Sequence, residues 1–129
     1  MTRRPLLVGL AFGIAALSAI AAGRSDQKFP DVVSVKVTSR SAGVFDFDVT
    51  VSSPYDTPER YADAIRVVAK PNVVLGERIL FHDHADEQPF TRDVPGVKIP
   101  SGIRVVTVQA RDKANGYGGR TAEVTLPGR

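Results

Sequence analysis

The chain has no cysteine, no tryptophan and a single methionine among its 129 residues. Without cysteine there is no disulfide, no thiolate metal site, no cysteine nucleophile and no sulfur carriage on cysteine. An apolar core must hold the fold. The chain is long enough to build one, since covalent staples are usually needed only below about 40 residues. Positive charge is not concentrated either. The formal net charge is +3, but Arg3 and Arg4 stand beside the N-terminus; without them fifteen basic residues face fourteen acidic ones, a charge of +1 with the signs interspersed. Nucleic acid needs a concentrated basic footprint, so nucleic-acid binding is excluded. Long hydrophobic runs are scarce. After Leu6–Ala22 no stretch approaches the roughly 20 apolar residues of a spanning helix.

What is present begins with that run. Arg3 and Arg4 precede seventeen residues without a charge, which end in Ala19-Ile20-Ala21-Ala22-Gly23. A basic start, an apolar stretch and a small-residue end form a secretory signal peptide. A signal helix is expected over residues 1–22, with cleavage after Ala21 or Ala22 and a periplasmic or secreted product. The alternative is an uncleaved N-terminal anchor, for which the run is at the short edge of spanning length. No cysteine follows it, so a lipid-modified N-terminal cysteine is excluded. About 107 residues remain, one domain by length: a flexible segment over 23–30, then a folded unit over 31–127, with no membrane span.

Period-two patterning dominates this unit. Val33, Val35 and Val37 alternate with Ser34, Lys36 and Thr38. Phe45, Phe47, Val49 and Val51 alternate with Asp46, Asp48, Thr50 and Ser52. Ser39–Gly43 is a turn between these two strands. Asp56 or Thr57, before Pro58, is placed to cap a short helical turn through Tyr61. Further strands are expected at about Asp63–Lys70, at Val73–Phe81 with a bulge at Gly76, at the edge over Pro89–Val94, at Arg104–Asp112 and at Arg120–Leu126. Turns fall at Pro71-Asn72, Pro95-Gly96, Pro100-Ser101-Gly102 and Ala114–Gly119. The pattern is all-β. About seven short strands with regular turns predict a β-sandwich of the immunoglobulin or fibronectin type III kind.

Within Ser53–Pro127, the stretches Tyr61-Ala62-Asp63, His82-Asp83-His84-Ala85-Asp86-Glu87-Gln88-Pro89-Phe90-Thr91-Arg92 and Gly116-Tyr117-Gly118-Gly119 resemble a family of small, uncharacterised secreted bacterial proteins. The chain departs from that family at Ile65 and at Thr57-Pro58, where its members carry tryptophan and a glycine-tryptophan pair. The resemblance implies export and an immunoglobulin-like β-sandwich, and it carries no mechanism.

One segment offers chemistry. His82 and His84 are the only histidines, and His82–Glu87 packs five potential ligands into six residues. In an extended segment residues two apart share a face. His82 and His84 would then present two imidazoles to one ion, with Glu87 adding an oxygen from the following turn. Such a set suits zinc, copper or nickel and leaves an open position. The same segment also reads as a solvated edge loop, with Asp83 or Asp86 capping a turn and Glu87 paired with Arg92 or Arg78, or as a surface for a partner. Asp46 and Asp48 share a strand face, but one strand cannot supply the separation across a cleft that a hydrolytic pair needs. Asp31, Asp46, Asp48, Asp112 and Asn115 lack the loop pattern of a calcium site. Gly116–Gly119 has no lysine and no following helix, so it is a hairpin rather than a phosphate loop. Tyr117 either stands exposed at its tip or folds back on the sheet, and Tyr61 is placed for a corner-type hydrogen bond. No serine sits in a nucleophile elbow. The sequence therefore predicts a binding module without catalysis or cofactor, its partner another envelope protein. A periplasmic copper or zinc protein using His82, His84 and Glu87 is the alternative.

Overall fold

The computed structural model describes residues 27–129. The expected signal helix over 1–22 and the first part of the 23–30 segment lie outside the described residues. Eight strands follow in order: β1 (Asp31–Ser41), β2 (Val44–Ser52), β3 (Ala62–Ala69), β4 (Val73–Ile79), β5 (Phe90–Lys98), β6 (Val105–Asp112), β7 (Gly116–Tyr117) and β8 (Ala122–Thr125). No helix occurs among the described residues. The strands form two antiparallel sheets. One has the order β1-β2-β5; in the other β4-β3-β6 continues into β7 and β8, which both pair with β6.

The alternation in β2 decides which way the first sheet faces. Phe45, Phe47, Val49 and Val51 are buried, while the acidic and hydroxyl residues between them are partly or fully exposed. They meet Phe90 and Val94 of β5, Ile65 and Val67 of β3, and Val106 and Val108 of β6 in one apolar cluster between the sheets. The molecule is a β-sandwich. Burying each of the larger side chains contributes roughly 1.5–3 kcal/mol, which explains how the fold dispenses with disulfides.

Four expectations need correction. The helical turn at 56–61 is absent; Thr57 and Arg60 instead form an isolated antiparallel bridge. The Asp56 carboxylate is not free to cap a helix, because it accepts hydrogen bonds from the Ala62 and His84 N–H groups. Pro95-Gly96 is not a turn but a bulge that lets β5 run on to Lys98: the pairing steps from Phe45↔Val97 to Phe47↔Val94. Gly96 takes φ +64° there and donates its N–H to Asp46 Oδ1 at 2.7 Å. The final strand is shorter than expected, β8 over Ala122–Thr125, and a two-residue strand, β7, forms inside the expected Ala114–Gly119 turn, making eight strands rather than about seven.

The break between β7 and β8 has a steric cause, and it bears on the fourth correction. Phe29 and Pro30 cross directly over Gly118 and Gly119. A Cβ on Gly118 would stand 2.6 Å from the Phe29 ring, and one on Gly119 only 2.0 Å from the Pro30 carbonyl oxygen. These glycines serve close approach rather than positive φ. The described part of the expected flexible segment, 27–30, is accordingly tied down. Arg60 Nη2 donates to the Gln27 and Lys28 carbonyls, the Gln27 side chain donates to the Ser52 carbonyl, and Pro30 is fully buried. The bulge expected near Gly76 is present, as a register shift opposite Val74–Gly76.

Candidate functional site

The buried polar side chains among the described residues are Ser53, Asp56, His84 and Asp112. All four sit in the loops or strand end at one pole of the sandwich. Ser53, Asp56 and His84 hold the 80–89 loop to the 53–61 loop. Asp56 Oδ1 accepts from Ala62 N–H at 3.2 Å and Oδ2 from His84 N–H at 3.0 Å. Gln88 accepts the Ser53 N–H at 2.8 Å through Oε1 and donates through Nε2 to the His84 carbonyl at 3.0 Å. Within the loop, Asp83 Oδ2 accepts from Ala85 N–H, the turn expected of that residue. Asp112 accepts from Arg60 Nε and from the Ala114 and Asn115 N–H groups, closing the turn after β6. It is fully buried and serves this turn.

The loop so held positions the histidines unequally. His84 is 3% exposed. Its ring stacks on Phe90, with centroids 3.7 Å apart and planes inclined by 16°. Neither ring nitrogen has a hydrogen-bond partner among the described residues. Burial, reinforced by the nearby Arg92 guanidinium and by His82, pushes the His84 pKa below its ordinary value. His82 is exposed, its ring 5.4 Å from that of His84 and tilted by 53°. Glu87 does not join them. Its carboxylate accepts from Arg92 Nη2 at 3.1 Å, and this bond holds its pKa below the usual carboxylate range. The structure thus brings His82 and His84 together and directs Glu87 elsewhere. Among the described residues no group of three or more histidine, cysteine, aspartate or glutamate side chains is arranged to hold a metal ion.

What the two imidazoles do share is a cleft of about 140 Å³. Arg78 and Arg92 complete its polar side, and Ile79, Leu80 and Phe81 form its apolar wall. Phe81 is 82% exposed. Arg78 Nη1 donates to the Asp93 carbonyl at 2.9 Å and pairs with the Asp93 carboxylate.

The outward face of the β4-β3-β6 sheet adjoins this cleft. Tyr117 folds back across it. The Arg66 guanidinium lies 3.7 Å over its ring, and its hydroxyl donates to Glu77 Oε2 at 3.2 Å. Burial, with Glu77 beside it, pushes the Tyr117 pKa up to about 12. Arg66 Nε also donates to Gln109, and Arg111 forks onto Asp63. Tyr61 is buried; Lys113 Nζ lies 5.1 Å from its ring centroid and the Lys113 N–H donates to its carbonyl. Asp46 and Asp48 lie on the other sheet's outward face. The Gly96 N–H and then the Arg40 guanidinium lower the Asp46 pKa.

Comparison with protein-family models, with curated proteins and with solved structures returns no match. The functional reading therefore rests on this chain's own residues. Two of its participants were seen in other roles, Asp56 as a helix cap and Gln88 within the resembling stretch, because the bonds that tie the two loops, Asp56 to His84 and Gln88 to Ser53, span 28 and 35 residues. A third, Phe81, was placed at the end of a strand without any indication that its ring stands in solvent.

Proposed function

We propose that this chain is an exported immunoglobulin-like binding module, without catalysis or cofactor, that meets another envelope protein along the edge of β4. The export part rests on the N-terminal pattern, and the immunoglobulin-like part is supported by a three-stranded β1-β2-β5 sheet packed on a sheet centred on β3 and β6. One observation carries the binding part. Of the six large apolar residues exposed among the described residues, four lie on β4 or just past it: Val73, Val74, Ile79 and Phe81. β4 has a strand partner on one side only. An edge strand with exposed apolar side chains is a template for an added strand, in which backbone hydrogen bonds give affinity and side-chain pockets give selectivity.

Site-specific photo-crosslinking in the native envelope tests this. A crosslinker at position 74, 79 or 81 should capture one discrete partner. The same crosslinker at position 33 or 36, on the β1 edge, should capture none. Equal capture at both edges, or none at β4, would remove the reading.

A further inference from the structure

The cleft at the end of β4 has the wrong charge for a metal and the right one for an anion. Its polar lining is Arg78, Arg92, His82 and His84, with no carboxylate among the lining residues. Two guanidinium groups oppose a cation, and two imidazoles alone are fewer ligands than metal sites generally use. The carboxylates that pair with the arginines, Asp93 and Glu87, leave donors over. A guanidinium has five N–H groups. Arg78 bonds through Nη1 and Arg92 through Nη1 and Nη2. His84 adds a further donor: a neutral imidazole always carries one N–H, and neither of its nitrogens has a protein partner although the residue is 97% buried. An unpaired buried donor is costly, and an anionic oxygen would satisfy it once the side chains that now shield both ring nitrogens from solvent move aside.

Size and walls narrow the anion. About 140 Å³ is the share of four to five water molecules in the liquid. That volume suits a carboxylate with a small apolar side chain better than a nucleotide or a sugar. Ile79, Leu80 and Phe81 supply apolar contact. The cleft also lies where β4 ends, so a chain laid along the free edge of β4 that stops with it places its terminus in the cleft. We propose that the cleft captures the C-terminal carboxylate of a partner polypeptide whose last residue is apolar, added as a strand to β4. This rests on the β4-edge reading and specifies its end point.

The test is an NMR titration of the purified protein, following the His84 ring and the Phe81 and Arg92 signals. Three probes are compared: acetyl-Val-Val-Leu with a free carboxylate, the same peptide as its C-terminal amide, and inorganic phosphate. The free acid should shift these signals saturably. The amide should bind at least about tenfold more weakly, the factor expected from losing one charge-assisted hydrogen bond, and phosphate, which has neither strand nor apolar contacts to offer, should also bind more weakly than the acid. Arg92→Gln, at a partly buried position outside the apolar core, should weaken the acid by about tenfold, and His84→Phe, which keeps the stack on Phe90, should do the same. Amide binding as tight as acid would overturn the proposal. So would phosphate binding as tight as the peptide, or two variants that bind like the original. If the peptides fail here while crosslinking at β4 persists, the carboxylate cleft falls and the β4 edge stands.

Discussion

Removing the Asp56 carboxylate should loosen the whole loop that carries the cleft. Asp56 is 5% exposed and accepts two buried N–H groups, from Ala62 six residues on and from His84 twenty-eight residues on. Asp56→Ala leaves both donors buried without a partner, at about 1–3 kcal/mol each. Part of this is offset, because burial already pushes the Asp56 pKa up, so its charged form is held at a penalty that the variant relieves. A net loss of about 2–4 kcal/mol is expected, against a total stability of about 5–15 kcal/mol for a domain of this size. With a urea dependence of about 1–3 kcal/mol per molar, the midpoint should fall by roughly 1–2 M. Hydrogen exchange supplies the local readout: the Ala62 and His84 amides should lose protection more than the β2 amides do. Asp56→Asn, which keeps one acceptor but turns an NH₂ toward a donor, should fall between the two. A midpoint unchanged in Asp56→Ala, with His84 protection intact, would refute the loop-anchoring role.

Other outcomes follow from the same geometry. Gly119→Ala should drive the Pro30 carbonyl off β7–β8, since the new Cβ would stand 2.0 Å from it; limited proteolysis before Asp31 should accelerate while the sandwich stays folded. Phe47→Ala, at a fully buried site, should cost about 3–5 kcal/mol in denaturant unfolding, whereas exposed Asp48→Ala should leave the midpoint nearly unchanged; the reverse order would mean an inverted register. His84 has a lowered pKa in the folded state, so the unfolded chain binds its proton first as pH falls. Its contribution is fully present above the unfolded value of about 6.5 and is lost as pH falls through the lower folded value. Unfolding curves should show stability declining across that window, and His84→Phe should flatten the decline.

The strands were legible wherever one face is buried and the other solvated. β2 alternates because its partners cover one side only, and that pattern fixes its register. β3 was harder to read: Ala64, Ile65, Val67, Val68 and Ala69 are all buried, so no polar face marks its period. The candidate metal trio is not brought together, for a reason that spacing cannot reveal. Residues two apart do share a strand face, but the 82–89 segment is a loop, where neighbouring side chains answer to different partners. His84 turns to Phe90 and Glu87 turns to Arg92. The pairing of Glu87 with Arg92, by contrast, was visible, because both lie within one short stretch of chain. The glycines at 118 and 119 were seen, but their task depends on a segment ninety residues earlier crossing over them.

The β4 edge gains weight from comparison with the other sheet edges. β1 is long, but it has two register irregularities and exposes Lys36 and Arg40 along its outer half. β5 carries Pro95, a bulge and exposed Lys98. β8 is four residues long and presents Glu123. Each of these is a known way of discouraging a second chain from pairing. β4 also contains two charged residues, Glu77 and Arg78, but neither guards the edge. Glu77 accepts the Tyr117 hydroxyl across the outward face of its own sheet, and Arg78 reaches over to Asp93 of β5. Apart from Glu77, the side chains exposed on it are apolar. A monomer under selection only to stay apart from other chains would have its least guarded edge free of exposed valine and isoleucine. Here the apolar residues are concentrated on that edge, and they lead to the cationic cleft at its end.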